Sequence, residues 1–114
     1  MEDCLFCKIA AGIIPSKKAY EDDEVVAFYD IDPQAPVHVL VIPKRHIQSA
    51  HHVCAEDSVT VMAMFAAAQR VAEELGIAAG GYRIVTNIGA DAGQSVPHLH
   101  FHILGGRSLQ WPPG

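Results

Sequence analysis

The chain has 114 residues, half of them apolar, and a formal net charge of −5. This length predicts one domain with a core that needs no disulfide, and the apolar fraction excludes a disordered chain. No basic run exceeds two residues, the N-terminus is acidic, and no apolar run approaches the roughly 20 residues that span a bilayer. We therefore expect a cytoplasmic protein with no nucleic-acid and no membrane partner, whose three cysteines are reduced thiols or metal ligands.

The first half of the chain predicts one short helix and three strands. Residues 4–11 suit a short helix. Two strand-like runs follow, residues 18–20 and 24–29, and Glu21-Asp22-Asp23 forms a plausible hairpin turn between them. The turn-forming stretch DIDPQAP then leads into the β-branched run VHVLVIP, which predicts the third strand.

The longest periodic segment, residues 55–75, predicts an amphipathic helix. Its apolar stripe recurs at intervals of three and four and consists of Val61, Phe65, Ala68, Ala72 and Leu75. Asp57 or Ser58 could cap its start and Gly76 its end. The run YRIVTN and residues 97–104 predict two more strands, so five strands and two helices are expected. This pattern indicates an α+β domain, a five-stranded antiparallel sheet with the helices packed on one side.

The last predicted strand carries His98, His100 and His102 at alternate positions within HLHFHIL. Residues two apart on a strand share a face and lie about 6.6 Å apart. The three imidazoles would therefore line one face, while the apolar residues between them pack into the core. Three polar rings are costly to bury without partners, which favours a cleft at the protein surface.

Three interpretations of this histidine face are open on the pattern alone. It could be a solvated strand face without function. It could bind a catalytic metal, because His-x-His pairs supply zinc ligands, although the nearest carboxylate in sequence, Asp91, lies across the preceding loop. It could also provide a neutral imidazole that attacks phosphorus. The adjoining loop GADAGQSV favours the nucleophile, since its glycines let the backbone approach an anion and Gln94 and Ser95 add donors.

The stretch QSVPHLHFHILGG closely resembles the H-φ-H-φ-H-φ-φ motif of the histidine triad (HIT) superfamily, where φ is apolar. The segment LFCKIAAGIIPSKKAYEDDEVVAFYDIDPQAPVHVLVIPKRHI and the tail GGRSLQWPPG resemble its Hint branch, the histidine triad nucleotide-binding proteins. The resemblance covers most of the chain. It implies a single HIT domain over residues 1–114, a HIT-like fold, a homodimer with a joined sheet, a purine nucleotide ligand and no catalytic cofactor.

The resemblance also assigns roles, because Hint-branch members hydrolyse phosphoramidates of purine nucleoside monophosphates. His100 would attack the α-phosphorus and form a nucleotidyl-imidazole intermediate that water then cleaves. His98 would hold His100 in its tautomer through the backbone carbonyl, and His102 would contact a phosphate oxygen. His38 would join them in a hydrogen-bonded relay, or be a core histidine on an apolar strand. Ser95 would place the phosphate and protonate the leaving amine, or merely cap the loop.

The same resemblance outlines a nucleoside pocket. Asp30 would accept both ribose hydroxyls, unless it only starts the DIDP turn. Tyr29 departs from the pattern, because many Hint proteins carry a histidine there. The apolar positions that match the base sandwich are Leu5, Phe6, Ile9, Phe28 and Ile31. The predicted contacts to sugar and phosphate are Asn87, Gly93, Gln94, Ser95, Val96, His100 and His102.

Cys4-x-x-Cys7 offers half of a tetrahedral zinc site, and His46 and His98 are the two candidates for the other half. Some bacterial members of the family bind zinc through two cysteines, a PK-x-H histidine and the first triad histidine. The resemblance thus implies a structural Zn²⁺ on Cys4, Cys7, His46 and His98. The alternative is two thiols on a short helix and a loop histidine. No βαβ pattern follows the cysteines, which argues against a redox motif.

The leading prediction is a hydrolase, a purine nucleoside phosphoramidase that cleaves the P–N bond of adenosine or guanosine 5′-phosphoramidates. One alternative is a dinucleoside polyphosphate hydrolase of the same superfamily, as in the Fhit branch, which the short length and the ending WPPG disfavour. The other is a non-catalytic module that binds purine nucleotides.

Overall fold

A computed structural model describes residues 3–114 of the chain. The elements in chain order are α1 (Leu5–Ala10), β1 (Lys18–Glu21), β2 (Val25–Tyr29), β3 (Val37–Pro43), α2 (Ser58–Glu74), β4 (Arg83–Val85) and β5 (Phe101–Gly105). The predicted α+β class, a five-stranded antiparallel sheet with two helices, is confirmed. Within residues 3–114, neither helix is long and apolar enough to cross a membrane.

The sheet has the strand order β1-β2-β3-β5-β4, and all neighbouring strands are antiparallel. The predicted hairpin turn joins β1 to β2, and the Asp22 carboxylate stabilises it by accepting the N–H groups of Glu24 (2.8 Å) and Val25 (2.9 Å). The register aligns Leu40 of β3 with Phe28 of β2 on one side and with His102 of β5 on the other. These three strands therefore bring their side chains together on one face.

The two helices lie on opposite faces of the sheet, so the expectation that both pack on one side is wrong. Alternate residues of a strand point to opposite faces, and β2 and β3 are apolar at nearly every position, so both faces must be covered. Helix α2 covers the face that presents Val25, Ala27, Val39 and Val41. Helix α1 covers the face that presents Val26, Phe28, Leu40 and Ile42.

The buried face of α2 is offset from the predicted stripe. Its buried residues are Thr60, Met64, Ala67, Ala68, Val71 and Ala72, whereas Phe65 is 41% exposed. The small alanines allow the helix to lie close to the sheet, which places them and Met64 at the centre of the contact. The α-helix begins only at Ser58, after a 3₁₀ turn that the Asp57 carboxylate caps at the Cys54 N–H (3.0 Å). Gly76 follows its end with a φ of +74°, as the prediction of a terminating glycine requires.

The last strand spans only Phe101–Gly105, so the prediction of a strand over 97–104 is wrong at its start. Residues 97–100 form an irregular segment whose main chain hydrogen-bonds outside the sheet. The Leu99 N–H donates to the Ile47 carbonyl (2.6 Å). The alternation of faces persists through this segment. Leu99, Phe101 and Ile103 are buried in the core under α2.

Candidate active site

A cavity of about 660 Å³ lies on the α1 side of the sheet. This volume falls in the range of roughly 300–1,000 Å³ that is typical of small-molecule sites. The residues of its wall are Leu5, Phe6, Ile9, Ile14, Pro15, Ser16, Lys17, Phe28, Tyr29, Asp30, Ile31, Leu40, Ser95, Val96, His100 and His102. The wall combines a long apolar stretch with two histidines and one carboxylate, which is the composition of a site for an amphipathic ligand.

Most of the residues predicted to bind a nucleotide meet at this cavity. They are Leu5, Phe6, Ile9, Phe28, Asp30, Ile31, Ser95, Val96, His100 and His102. Among residues 3–114, Asn87, Gly93 and Gln94 do not form part of the wall. The Gln94 amide instead clamps its own loop, because its oxygen accepts the Gly89 N–H (2.9 Å) and its nitrogen donates to the carbonyl oxygen of Gln48 (2.9 Å).

Sequence reasoning missed one segment of the wall, residues 14–17, as well as Leu40. The segment lies between α1 and β1 and reaches the cavity because the Tyr29 N–H donates to the Lys17 carbonyl (2.9 Å). The predicted β1–β2 hairpin could have revealed that this segment lies at the cavity. Extending its antiparallel pairing beyond Lys18 and Phe28 brings the segment beside Asp30.

His100 presents a nitrogen lone pair at Nε2. Its Nδ1 lies 2.7 Å from the carbonyl oxygen of His98. Because a carbonyl oxygen only accepts hydrogen bonds, Nδ1 carries the proton and Nε2 does not. Burial also lowers the pKa of His100 from its ordinary value, which favours the neutral ring. A neutral imidazole with an unprotonated nitrogen is a nucleophile.

His102 has the opposite tautomer. The Gln34 N–H donates to Nδ1 of His38 (3.0 Å), so the neutral His38 ring carries its proton at Nε2. That nitrogen lies 2.9 Å from Nδ1 of His102 and donates to it. His102 therefore carries its own proton at Nε2, as a hydrogen-bond donor. Burial, and then the neighbouring His100 and His38, lower the pKa of His102 to about 4, so the ring is neutral.

Asp30 brings a carboxylate to the histidines. Its Oδ2 lies 3.4 Å from Nε2 of His38, and its Oδ1 accepts the Asp32 N–H (2.8 Å). The two carboxylate oxygens have four acceptor positions, so this side chain can accept further donors from a ligand. Donor atoms of Asp30, His38 and His102 lie within 4.8 Å of one another. The direct hydrogen bond between the two imidazoles already uses two of these atoms.

The prediction of a surface cleft is wrong for His98, which is 0% exposed, whereas His100 lies in the cavity wall although it is only 4% exposed. Both nitrogens of His98 and Nδ1 of His100 have partners, as buried polar groups generally do, while Nε2 of His100 keeps the lone pair described above. Nε2 of His98 lies 2.8 Å from the Pro43 carbonyl and donates to it. The lone pair of His98 is therefore at Nδ1.

A second cluster lies behind the triad, where Cys4, Cys7, His46 and His98 place one donor atom each within 4.8 Å of one another. Nδ1 of His98 is 3.3 Å from the Cys4 sulfur and 3.5 Å from the Cys7 sulfur, and Nδ1 of His46 is 3.3 Å from the Cys7 sulfur. Tetrahedral zinc with its usual bond lengths sets such atoms roughly 3.3–3.8 Å apart. The structure thus brings both candidate histidines together with the two cysteines.

The donor set fits a zinc ion chemically as well. Burial lowers the pKa of His46 and brings that of His98 to about 4, which favours the neutral imidazoles that bind metal. Burial raises the pKa of the Cys7 thiol. Its thiolate therefore requires a nearby cation, as a bound metal would provide.

Comparisons with known proteins agree with this geometry. A family model described as HIT domain matches residues 11–109. The purine nucleoside phosphoramidase of Escherichia coli K12 is 45% identical over 108 residues, which are 95% of this chain and 91% of that protein. Two solved structures are also similar. A HIT family hydrolase from Clostridium thermocellum superposes with a TM-score of 0.94 at 48% identity and covers 96% of each chain. A HIT family hydrolase from Legionella pneumophila gives 0.96 at 46% identity, over 98% of this chain and 100% of that one.

Proposed function

The chain belongs to the HIT domain family and is a hydrolase, and on this basis we propose that it is a purine nucleoside phosphoramidase. Its substrates would be adenosine or guanosine 5′-phosphoramidates, and its nucleophile His100. The similarity to the Escherichia coli phosphoramidase over most of both chains supports this substrate class. The wall of the cavity supports it too, since an apolar end suits a base and the histidine end suits a phosphate.

The observation that carries the proposal is the pair of opposite tautomers on neighbouring rings. The ring centroids of His100 and His102 lie 5.1 Å apart. Nε2 of His100 holds a lone pair because its Nδ1–H is bonded to the His98 carbonyl, whereas Nε2 of His102 holds a proton because its Nδ1 accepts from His38. One ring can therefore attack phosphorus while the other donates to a phosphate oxygen.

The first step follows from these assignments. Nε2 of His100 uses its lone pair to form a bond to the α-phosphorus, and the P–N bond breaks with its electron pair leaving on the amine. The Ser95 hydroxyl, which lies on the cavity wall with both histidines, would supply the proton that the amine takes up. His102 stabilises the negative charge on the phosphoryl oxygens. In the second step water attacks the phosphorus and gives one proton back to the Ser95 oxygen, the N–P bond breaks, and His100 recovers its lone pair.

The rest of the cavity would bind the nucleoside. Asp30 would accept the ribose hydroxyls with its free acceptor positions. The base would lie between α1 and the sheet, where the Phe6 ring contacts the Phe28 ring edge-on at a centroid distance of 5.6 Å. Leu5 and Ile9 of α1 and Ile31 after β2 complete this apolar sandwich. No step requires a catalytic cofactor.

We further propose that Cys4, Cys7, His46 and His98 hold a structural zinc ion. The ion would join α1 to the loop after β3 and to the triad segment. A site that requires two free thiols fits the reducing cytoplasm, where we place the protein.

A homodimer of this single HIT domain, residues 1–114, completes the proposal. Helix α2 exposes Val59 (69%), Met62 (58%) and Phe65 (41%) on successive turns of its outer face. Strand β4 is an open edge of the sheet, where the sheet of a second copy could continue. Light scattering on the purified protein tests this, since Met62→Lys should convert a dimer into a monomer, while Glu73→Lys should leave it dimeric.

The activity is tested by steady-state rates on matched substrates, adenosine 5′-phosphoramidate and a diadenosine polyphosphate. The proposal expects kcat/KM to be higher for the phosphoramidate. Preference for the polyphosphate would instead identify a dinucleoside polyphosphate hydrolase. Binding of AMP without hydrolysis of either substrate would identify a non-catalytic nucleotide-binding module.

A further inference from the structure

The hydroxyl of Ser16 has no partner. Among residues 3–114, Ser16 Oγ is the one buried side-chain oxygen or nitrogen atom without a hydrogen bond. Other buried hydroxyls are satisfied, since Ser49 contacts Nδ1 of His52 (2.7 Å) and Thr60 donates to Glu24 (3.1 Å). A buried polar group without a partner is destabilising, because it has lost its hydrogen bonds to water, so this isolated exception requires an explanation.

Ser16 lies in the wall of the cavity described above. Lys18 aligns with Phe28, and the Tyr29 N–H donates to the Lys17 carbonyl. Continuing this antiparallel pairing by two residues places Ser16 beside Asp30, on the side of β2 that faces β1. The other neighbour of Asp30 is His38, on the side that faces β3, since the Asp30 N–H donates to the His38 carbonyl.

The order of strands predicts which part of a nucleotide reaches Ser16. His102 is on β5, at the phosphate end, and Asp30 follows β2, at the ribose. These two strands are separated by β3 in the order of the sheet, although donor atoms of Asp30 and His102 approach within 4.8 Å of each other. A ligand that continues in the same direction places its base toward β1, at residues 14–17. Ile14 and Phe28 are apolar there, and Ser16 adds a hydroxyl.

The hydroxyl can turn toward the cavity without losing a hydrogen bond. Serine has three staggered χ1 positions, and the present one leaves Oγ shielded from solvent and unbonded. Rotation into the cavity would give this oxygen a partner on any ligand that carries a polar atom at its edge. A hydroxyl both donates and accepts, so ring nitrogens and exocyclic amino or oxo groups of a purine are all suitable.

We propose that Ser16 is a specificity-determining residue that hydrogen-bonds the polar edge of the purine base, in a pocket that otherwise holds the base by apolar contact. The proposal rests on the proposed function, because it assumes a purine nucleotide in the cavity. It predicts that the pocket selects among flat ligands of equal size according to their edge atoms. A buried hydroxyl contact is a stronger discriminator than a change in apolar contact area.

The experiment compares equilibrium binding of two ligands to wild type and Ser16→Ala by calorimetry. The first ligand is AMP, and the second is indole riboside 5′-monophosphate, which keeps the sugar, phosphate and flat bicyclic shape but has no polar edge atoms. We expect Ser16→Ala to weaken the binding of AMP about five- to tenfold and to leave the binding of the indole nucleotide unchanged. Ser58→Ala, an exposed serine at the start of α2 on the other face of the sheet, should change neither ligand.

Thermal unfolding of the ligand-free protein provides the second readout. Because the hydroxyl has no partner, Ser16→Ala should unfold at the same temperature as wild type or a higher one. Equal weakening of both ligands, no weakening of AMP, or a lower unfolding temperature without ligand would each overturn the proposal. Wild type that binds AMP in a Ser16-dependent manner but hydrolyses no phosphoramidate would contradict the proposed function and leave the base contact standing.

Discussion

Nε2 of His38 lies 2.9 Å from Nδ1 of His102, and the Gln34 N–H at the other nitrogen of His38 determines the direction of that hydrogen bond. One backbone amide thereby decides which nitrogen of His102 carries the proton. On the same segment, the His98 carbonyl decides the tautomer of His100. The two rings at the cavity thus acquire different chemical roles from two main-chain groups.

On this geometry His38 is proposed to act as a positioning residue, and substitution of its side chain tests the proposal. His38→Ala should lower kcat/KM for adenosine 5′-phosphoramidate by about 10²- to 10⁴-fold, because His102 is then free to take the wrong tautomer. His38→Gln should lower kcat/KM much less, since its amide nitrogen can still donate to Nδ1 of His102. Equal losses of kcat/KM in the two variants would show that the activity does not depend on a hydrogen bond donated to Nδ1 of His102.

Asp30 is predicted to recognise the ribose. Asp30→Asn keeps the size of the side chain and the oxygen that accepts the Asp32 N–H, but removes the charge. The Kd for AMP should rise about tenfold or more, because hydrogen bonds to a charged group contribute about 1.5–3 kcal/mol. The Kd for 2′,3′-dideoxy-AMP should not change. An equal rise for both nucleotides would contradict a contact between Asp30 and the hydroxyls.

The proposed zinc site predicts one ion per chain in protein purified without chelator. Cys7→Ser should abolish this zinc in elemental analysis, lower the unfolding temperature, and raise KM. The reason is that Cys4 and Cys7 flank Leu5 and Phe6 of the cavity wall. The proposed fourth ligand, His98, also supplies the carbonyl that accepts from Nδ1 of His100. Cys54→Ser is the matched control, because that exposed cysteine is outside the cluster. Sub-stoichiometric zinc in wild type would refute the four-ligand site.

Protonation of His102 should make stability depend on pH. The folded pKa of this ring is about 4, below the ordinary value of about 6.5. Between these two pH values the unfolded chain binds a proton that the folded chain does not. The free energy of unfolding therefore falls as pH decreases through this window, and above it this ring has no effect on stability. Urea unfolding of wild type and His102→Asn at a series of pH values measures this. The stability of wild type relative to the variant should decrease between about pH 6.5 and 4, and a constant difference would contradict the shifted pKa.

The sequence predicted those parts of the fold whose determinants are local. The β1–β2 turn followed from three consecutive acidic residues, and β3 from an unbroken β-branched run. The early start of the last strand was wrong because Leu99 bonds the distant Ile47 carbonyl, a tertiary contact that no local pattern encodes. The packing face of α2 was misplaced for a similar reason, since close approach to the sheet favours alanines over the more hydrophobic Phe65.

In the candidate site, too, the features with local determinants were predicted and those that depend on tertiary contacts were not. The alternation of HLHFH was sufficient to place the triad on one face, and the resemblance to the histidine triad superfamily named the cysteines and His46 that now lie together. The tautomers were out of reach, because they depend on the Gln34 N–H and the His98 carbonyl. Ser16 was missed because it reaches the cavity only through strand pairing, and because a lone serine before a strand has no distinguishing pattern.

A covalent bond between Nε2 of His100 and the α-phosphorus is the central intermediate of the proposed reaction. Rapid acid-free quenching of the protein during turnover of adenosine 5′-phosphoramidate, followed by digestion and mass spectrometry, tests for this adduct. We predict one adenylyl group on the peptide that contains His100, and none in His100→Asn, whose amide nitrogen can still donate to the His98 carbonyl. Hydrolysis at wild-type rate by His100→Asn, or an adenylyl group on another residue, would contradict the account.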